Sequence, residues 1–406
     1  MKLPFSLSTI FKPLTVVCVL LLALLREPLF FLEPRIWAEE GTVHITSIFN
    51  SGIWISLITP HLGYYSLFNN YVTAIGLGLF GLSGVAYVTT LFSLAIILMT
   101  VFAPMVLESK YWDTPAKKGA LIFFILLIGS SEIWLNTVNS QFYFCVFNSL
   151  LLLSNTNHLR GWKMYCALFM FFNGVLTGIT TIALAPFFIF KYLKLKNRSW
   201  LEHVFLAILI LGIVVQFTAF FYLKMSHELS RLDIANLVNL PAGFFANIAS
   251  VLPFPGRVIK IVFLVLLGYL LLAINKNSRD RLLPLIIAIY LAFLFAFLSL
   301  KMLGGDRYGF ASAVLIFVFL VNASLSDFLY KKYIKILNLT FVIIMMYGAT
   351  ISFFDTKIAY DPSWEKFSIQ NIKKLSDDSY SLKVFPQHWD TNWEISLSKK
   401  DLEKFK

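Results

Sequence analysis

The chain has 406 residues, of which 58% are hydrophobic and only 14% charged, with 41 phenylalanines and a net charge of +12; the mean hydropathy is +0.75. Soluble domains carry about a quarter charged residues and need a polar shell. The composition therefore excludes a soluble globular enzyme, a disordered chain, a disulfide scaffold and a nucleic-acid binder. The three cysteines, Cys18, Cys145 and Cys166, sit in apolar stretches without metal-ligand spacing and read as small buried hydrophobes.

Apolar runs suited to a bilayer recur along the chain. The first, Pro13–Leu32, follows Lys2 and Lys12 and lacks a small-x-small cleavage site, so it reads as an uncleaved first span. Then come Val85–Leu107, Gly119–Ser131, Phe142–Leu153, Met164–Phe172, Ile179–Tyr192, Val204–Tyr222, Val258–Ile274, Leu282–Leu300, Tyr308–Leu325 and Leu337–Phe354. Leu67–Leu82 is apolar but contains Asn69, Asn70 and four glycines, and reads either as a span or as an interfacial helix.

The positive charges choose between these two. With an interfacial helix at 67–82, one side of the membrane holds Lys2 and Lys12, Lys110, Lys117 and Lys118, Arg160 and Lys163, Lys191 to Arg198, Lys276 to Arg281, and Lys331 to Lys335. The opposite loops, near Glu39, Asn136, Asn173 and Gly305, are poor in Lys and Arg. The expected fold is an all-α polytopic membrane bundle of about eleven spans over residues 1–354, with the N-terminus cytoplasmic. A polar tail, 355–406, carries Trp364, Trp389 and Trp393. Period-2 alternation over Ser379–Phe385 and Trp393–Leu397 predicts a hairpin in a small extracytoplasmic β or α/β cap.

The informative residues lie in the outer loops. The first outer loop (33–84) opens Glu33-Pro34-Arg35-Ile36-Trp37-Ala38-Glu39-Glu40-Gly41. Partial desolvation and a like-charged neighbour both raise a carboxylate pKa towards that of a general base, which makes Glu39 and Glu40 catalytic candidates. Solvated charges beside an interfacial tryptophan belt explain the same residues. Pro60-His61-Leu62-Gly63-Tyr64-Tyr65 contributes His61 and Tyr64, which serve equally well as an aromatic interface anchor.

Glu132-Ile133-Trp134-Leu135-Asn136-Thr137-Val138-Asn139-Ser140-Gln141 is amide-rich. Trp134, Asn139 and Gln141 suit a hydroxyl-rich ligand such as a sugar, or simply cap a helix turn. Gly304-Gly305-Asp306-Arg307-Tyr308 places an arginine where it can hold a lipid phosphate or pair internally. Lys224–Arg257, with Arg231, reads as a lid over a groove or as a disordered connector.

Together these residues resemble the GT-C-type bacterial membrane glycosyltransferases. Trp37-Ala38-Glu39-Glu40-Gly41 matches their W-A-[ED]-[ED]-G signature. Gly63-Tyr64, Asn139-Ser140-Gln141, Gly305-Asp306-Arg307-Tyr308 and Pro386-Gln387-His388-Trp389 match further short elements, so the resemblance spans most of the chain. The nearest pattern is that of serotype-converting O-antigen glucosyltransferases of enteric bacteria and their phages. One departure is that Asn69-Asn70 stand where relatives often carry an arginine, which shifts donor-phosphate binding to Arg307 or Arg231.

The resemblance implies a GT-C-like fold and transfer of a sugar, glucose in the nearest relatives, from a polyprenyl-phosphate carrier to a lipid-linked or surface glycan. The reaction would take place on the outer face of the bacterial inner membrane, with inversion. Glu39 or Glu40 would be the base and Arg307, with Arg231, the phosphate anchor; Trp37, His61, Tyr64, Trp134, Asn139, Gln141 and Tyr308 would position sugars. It implies no cofactor beyond the lipid-linked donor, a small flippase and a carrier-charging enzyme as partners, and no metal, although paired carboxylates also suit a divalent cation. An O-antigen polymerase and a lipid-linked glycan flippase are the competing readings. A flippase calls for charges at mid-membrane depth, which these spans largely lack.

Overall fold

The computed structural model describes residues 7–128, 131–225, 234–250, 268, 281–298, 306–325, 332–354, 372–384 and 393–405. Its main helices are α1 (Leu7–Arg26), α2 (Leu67–Val101), α3 (Pro115–Ile128), α4 (Ser140–Leu153), α5 (Trp162–Leu176), α6 (Ala185–Lys194), α7 (Trp200–Met225), α8 (Leu240–Ser250), α9 (Leu283–Leu298), α10 (Asp306–Ser324) and α11 (Lys332–Phe354).

Helices α4 and α10 form the centre. Every residue of α4 is buried, and over 307–324 α10 is 83% buried, against 28% for α7. Rings fill this centre: Phe124 of α3 stacks on Phe317 of α10 at 3.8 Å, and Phe144 of α4 meets Phe68 of α2 edge-on at 5.3 Å. Large apolar side chains such as Phe217, Phe221, Ile343 and Tyr347 point outward from α7 and α11, as expected where the solvent is hydrocarbon.

Among the described residues, four helices are long and apolar enough to cross a bilayer: Leu67–Val101, Trp200–Leu223, Arg307–Ser324 and Lys335–Phe354. The expectation of about eleven spans therefore also rests on shorter pieces. Pro13–Arg26, Ser140–Leu153, Trp162–Leu176 and Leu283–Leu298 are apolar but shorter. Fourteen helical residues such as α4 rise only about 21 Å, less than the ~30 Å hydrocarbon layer. The expected span Ile179–Tyr192 is a 3-10 turn, Ile182–Leu184, followed by the ten-residue α6. The first span stops at Arg26, because Pro28 cannot continue the helix and starts the separate turn Leu29–Leu32. Val258–Ile274 lies outside the described residues except for position 268, which is helical.

The ambiguous stretch at 67–82 resolves into a sharp bend. Gly81 lies at φ 62°, ψ −166° within α2, a region open almost only to glycine. A Cβ on Gly76 would stand 2.9 Å from the Val85 side chain and 3.2 Å from its Cα. Nine residues of straight helix would separate these by about 13 Å, so the chain doubles back at Gly81. The segment expected to be a lid or connector, Lys224–Arg257, is helical where described. Helix α8 packs on α9, with the Asn247 amide donating to the Ala292 carbonyl at 3.1 Å.

The tail forms a three-stranded antiparallel sheet in order β1 (Lys373–Lys374), β2 (Ser379–Lys383) and β3 (Glu394–Ser398), with Leu382 opposite Ile395. The helix Lys399–Phe405 closes it. Val384 and Ile395 pack directly on Gly41, where a Cβ would stand 2.6 Å and 3.1 Å from them. Ile36, Ile45, Ile48, Leu382, Ile395 and Leu397 share one small apolar core, so the tail and the segment after α1 are built together.

Two substitutions test this arrangement. Gly81→Val is expected to cost about 1–3 kcal/mol of stability, read as a lowered Tm in detergent. Gly41→Leu is expected to detach the sheet from the loop, read as faster proteolysis of the tail while the helix bundle persists.

Candidate functional site

Four buried charges lie at and just after the end of α1. Arg26 ends α1, donates to the Leu126 carbonyl at 3.1 Å and lies 4.3 Å from the centre of the Trp134 ring. Arg35 donates to the Trp134 carbonyl at 3.5 Å, with its guanidinium 3.6 Å from the Phe30 ring. Burial pulls Arg35 down to about 9, against the attraction of Glu27 and Glu40. Glu27 is likewise buried, and its desolvation raises its pKa against the pull of Arg35 and Arg26.

Glu40 begins a turn of π-helix, Glu40–Ile45, and is 1% exposed. Its two oxygens accept three short hydrogen bonds: Oε2 from the Trp37 backbone N–H at 2.8 Å, and Oε1 from the Thr137 backbone N–H and hydroxyl, each at 2.6 Å. Burial raises the Glu40 pKa, while these donors and Arg35 pull the other way. The carboxylate is thus a clamp between the loop after α1 and the loop before α4.

Glu39 differs. It is half-buried, its Oε2 has no hydrogen-bond partner, and it lies within electrostatic reach of Arg307. Arg307, at the start of α10, donates from Nη1 to Glu132 Oε1 at 2.7 Å, both side chains being partly exposed. Arg307 also lies 5.1 Å from the Tyr308 ring, and Tyr308 packs edge-on against Phe142 at 5.7 Å. Gln141 donates to the Tyr64 hydroxyl at 3.4 Å. The electrostatic neighbourhood of Arg307 includes Tyr308, Glu132, Glu39 and Tyr64. One end of the bundle therefore gathers Glu39, Arg307, Tyr308 and Tyr64, with Gln141 beside Tyr64.

The remaining candidates lie deeper. Trp37 is 1% exposed and Trp134 fully buried, so neither presents an open ring face. The Asn139 amide donates to the Glu132 carbonyl at 2.9 Å, and the Asn136 amide donates to the same oxygen at 2.7 Å. The amide-rich loop thus fixes Glu132. His61 and Tyr64 exchange two backbone hydrogen bonds across Leu62 and Gly63, both at positive φ. The His61 ring meets a second imidazole, His44, edge-on at 5.3 Å. Arg231 and Gly305 lie outside the described residues, as do Pro386 to Trp389.

Sequence reasoning missed Glu132 as the partner of Arg307, Thr137 as the clamp on Glu40, and His44. His44 Nδ1 lies 2.9 Å from Asn70 Oδ1, and Asn69 Nδ2 lies 3.4 Å from Nε2. Asn69 and Asn70 thus serve a buried imidazole. Burial, with His61 beside it, depresses His44 to about 3. Among the described residues, no group of three or more His, Cys, Asp or Glu could hold a metal ion.

His44 makes stability pH-dependent. The unfolded chain takes up a proton near pH 6.5 that the folded chain refuses until about 3, so its contribution is complete above 6.5 and declines as pH falls towards 3. Tm in detergent is expected to drop over this window, with a flatter dependence in His44→Gln. Thr137→Val is expected to cost about 1.5–3 kcal/mol, and Thr137→Ser much less, by the same measurement. No protein-family model matches the chain, and no curated protein matches it either.

Proposed function

We propose that the chain is an integral membrane glycosyltransferase of GT-C type. It moves a sugar, glucose on the nearest pattern, from a polyprenyl-phosphate carrier to a lipid-linked or surface glycan such as O-antigen. It lies in a bacterial inner membrane with about eleven spans, its N-terminus cytoplasmic and its site and tail external. The observation that carries this reading is Glu39, a half-buried carboxylate with an unpartnered oxygen, near Arg307 at one end of a largely apolar bundle.

On this reading the two adjacent glutamates divide their roles. The oxygens of Glu40 are committed to three donors, so Glu40 holds the loop and Glu39 is the base. Glu39 takes the proton of the acceptor hydroxyl as that oxygen bonds to the anomeric carbon and the carbon–phosphate-oxygen bond breaks. Direct displacement inverts the anomeric centre. Arg307 meets the charge growing on the leaving polyprenyl phosphate, in competition with Glu132. Tyr64, Gln141 and Tyr308 lie where they could bind sugar hydroxyls.

Surface lipopolysaccharide from cells with and without the gene is expected to differ by one sugar mass per repeat unit; identical material would sink the assignment. Glu39→Gln is expected to lower transfer by about 10²–10⁴-fold with Tm unchanged, whereas Glu40→Gln lowers Tm. Full transfer by Glu39→Gln would remove the base. Arg307→Ala is expected to raise the donor requirement more than the acceptor requirement. A reporter after Lys406 is expected to read as external.

A further inference from the structure

The opposite end of α4 faces a different chemistry. Residues 155–202 contain six cations, Arg160, Lys163, Lys191, Lys194, Lys196 and Arg198, against one acid, Glu202. Several of these groups are engaged within the fold. Lys191 Nζ donates to the carbonyls of Leu152 and Ser154 at 2.9 and 2.8 Å, and Arg198 Nε donates to the Tyr192 carbonyl at 3.0 Å. Both oxygens of Glu202 are occupied, one by the Thr156 hydroxyl at 2.7 Å and the other by the Ser199 N–H at 2.9 Å. Arg160 is exposed and has no carboxylate partner among the described residues.

A cleft of about 340 Å³ opens beside Arg160, between the start of α5 and the start of α7, and is lined also by Asn157, Gly161, Met164, Ser199 and Trp200. Ser199 borders the cleft with its hydroxyl enclosed by the fold. Gly161 sits at φ +54° with open space where a Cβ would stand, so the backbone at the start of α5 is accessible. Around the cleft Trp162, Tyr165 and Trp200 are each more than half exposed, the arrangement aromatic side chains adopt at the level of lipid headgroups.

We propose that this cleft binds the phosphate of an anionic phospholipid. Arg160 holds the phosphate oxygens beside the open backbone at Gly161, and Trp162 and Trp200 lie along the glycerol and upper acyl chains. Basic pockets between helices at a membrane surface favour such headgroups, since the cation meets the phosphate and the rings meet the lipid. The assignment needs only that the bundle sits in a membrane; it does not depend on the glycosyltransferase reading.

The test uses the full chain in detergent, titrated with dioleoylphosphatidylglycerol and read by native mass spectrometry. The wild type is expected to retain the lipid, with Arg160→Ala weakening retention roughly fivefold, the effect of one cation at an anionic surface. Lys374→Ala, an equal loss of charge on the distant tail sheet, is expected to change nothing, and phosphatidylcholine is expected to bind weakly to all three proteins. Equal losses from Arg160→Ala and Lys374→Ala would reduce the effect to overall charge and overturn the site. Complete displacement of the lipid by millimolar inorganic phosphate would make it a soluble-anion site and overturn the lipid assignment.

Discussion

A carboxylate can remain in an apolar interior only where donors meet its lone pairs, and the Glu40 clamp is that place in this chain. Its three donors come from two loops, one following α1 and the other preceding α4, with Thr137 lying 97 residues beyond Glu40. Joining them sets where Glu39 stands, because Glu39 is the next residue along the backbone. It also sets where Glu132 stands, because Asn136 and Asn139 pin that residue's carbonyl within the same loop as Thr137. Arg307 then has its carboxylate partner brought to it.

The charges at this end form two layers with different character. The inner layer, Arg26, Glu27, Arg35 and Glu40, has two cations and two anions, all nearly inaccessible. Neutrality and aromatic faces make such a group tolerable, and removing one member would strand the others. The outer layer, Glu39, Glu132 and Arg307, has an excess of one negative charge and is partly open to solvent. Only the outer layer retains the freedom to exchange partners, which suits groups that must meet a ligand and release it.

Much of this was legible in the sequence, and the exceptions have physical causes. Long apolar runs mark helices irrespective of their neighbours, and the period-2 alternation after Ser379 marks the hairpin. Which apolar run is a lipid-facing span and which is an interior helix depends on packing: α4 is entirely buried although it carries Gln141 and Asn148, whereas the longer and more apolar α7 is largely exposed. Glu39 and Glu40 are chemically identical and adjacent, so only the direction of the chain at that turn separates a clamp from a free carboxylate. The Arg307–Glu132 pair spans 175 residues and leaves no local pattern. Arg26, Glu27 and Arg35 punctuate an apolar stretch in the sequence, and only the fold shows that all three are buried together.

The contact of Gly41 with Val384 and Ile395 orders events during synthesis. The strands that brace the loop bearing Glu39 are made roughly 340 residues after it. At ribosomal speeds of about 5–20 residues per second, the interval is roughly 15–70 s. For that time the loop lacks one wall of its small core, and Ile36, Ile45 and Ile48 lack the partners that later cover them. Unlike a domain that folds as it emerges, this end of the protein is finished only when the tail arrives, so a truncated nascent chain would carry its acidic turn without the brace.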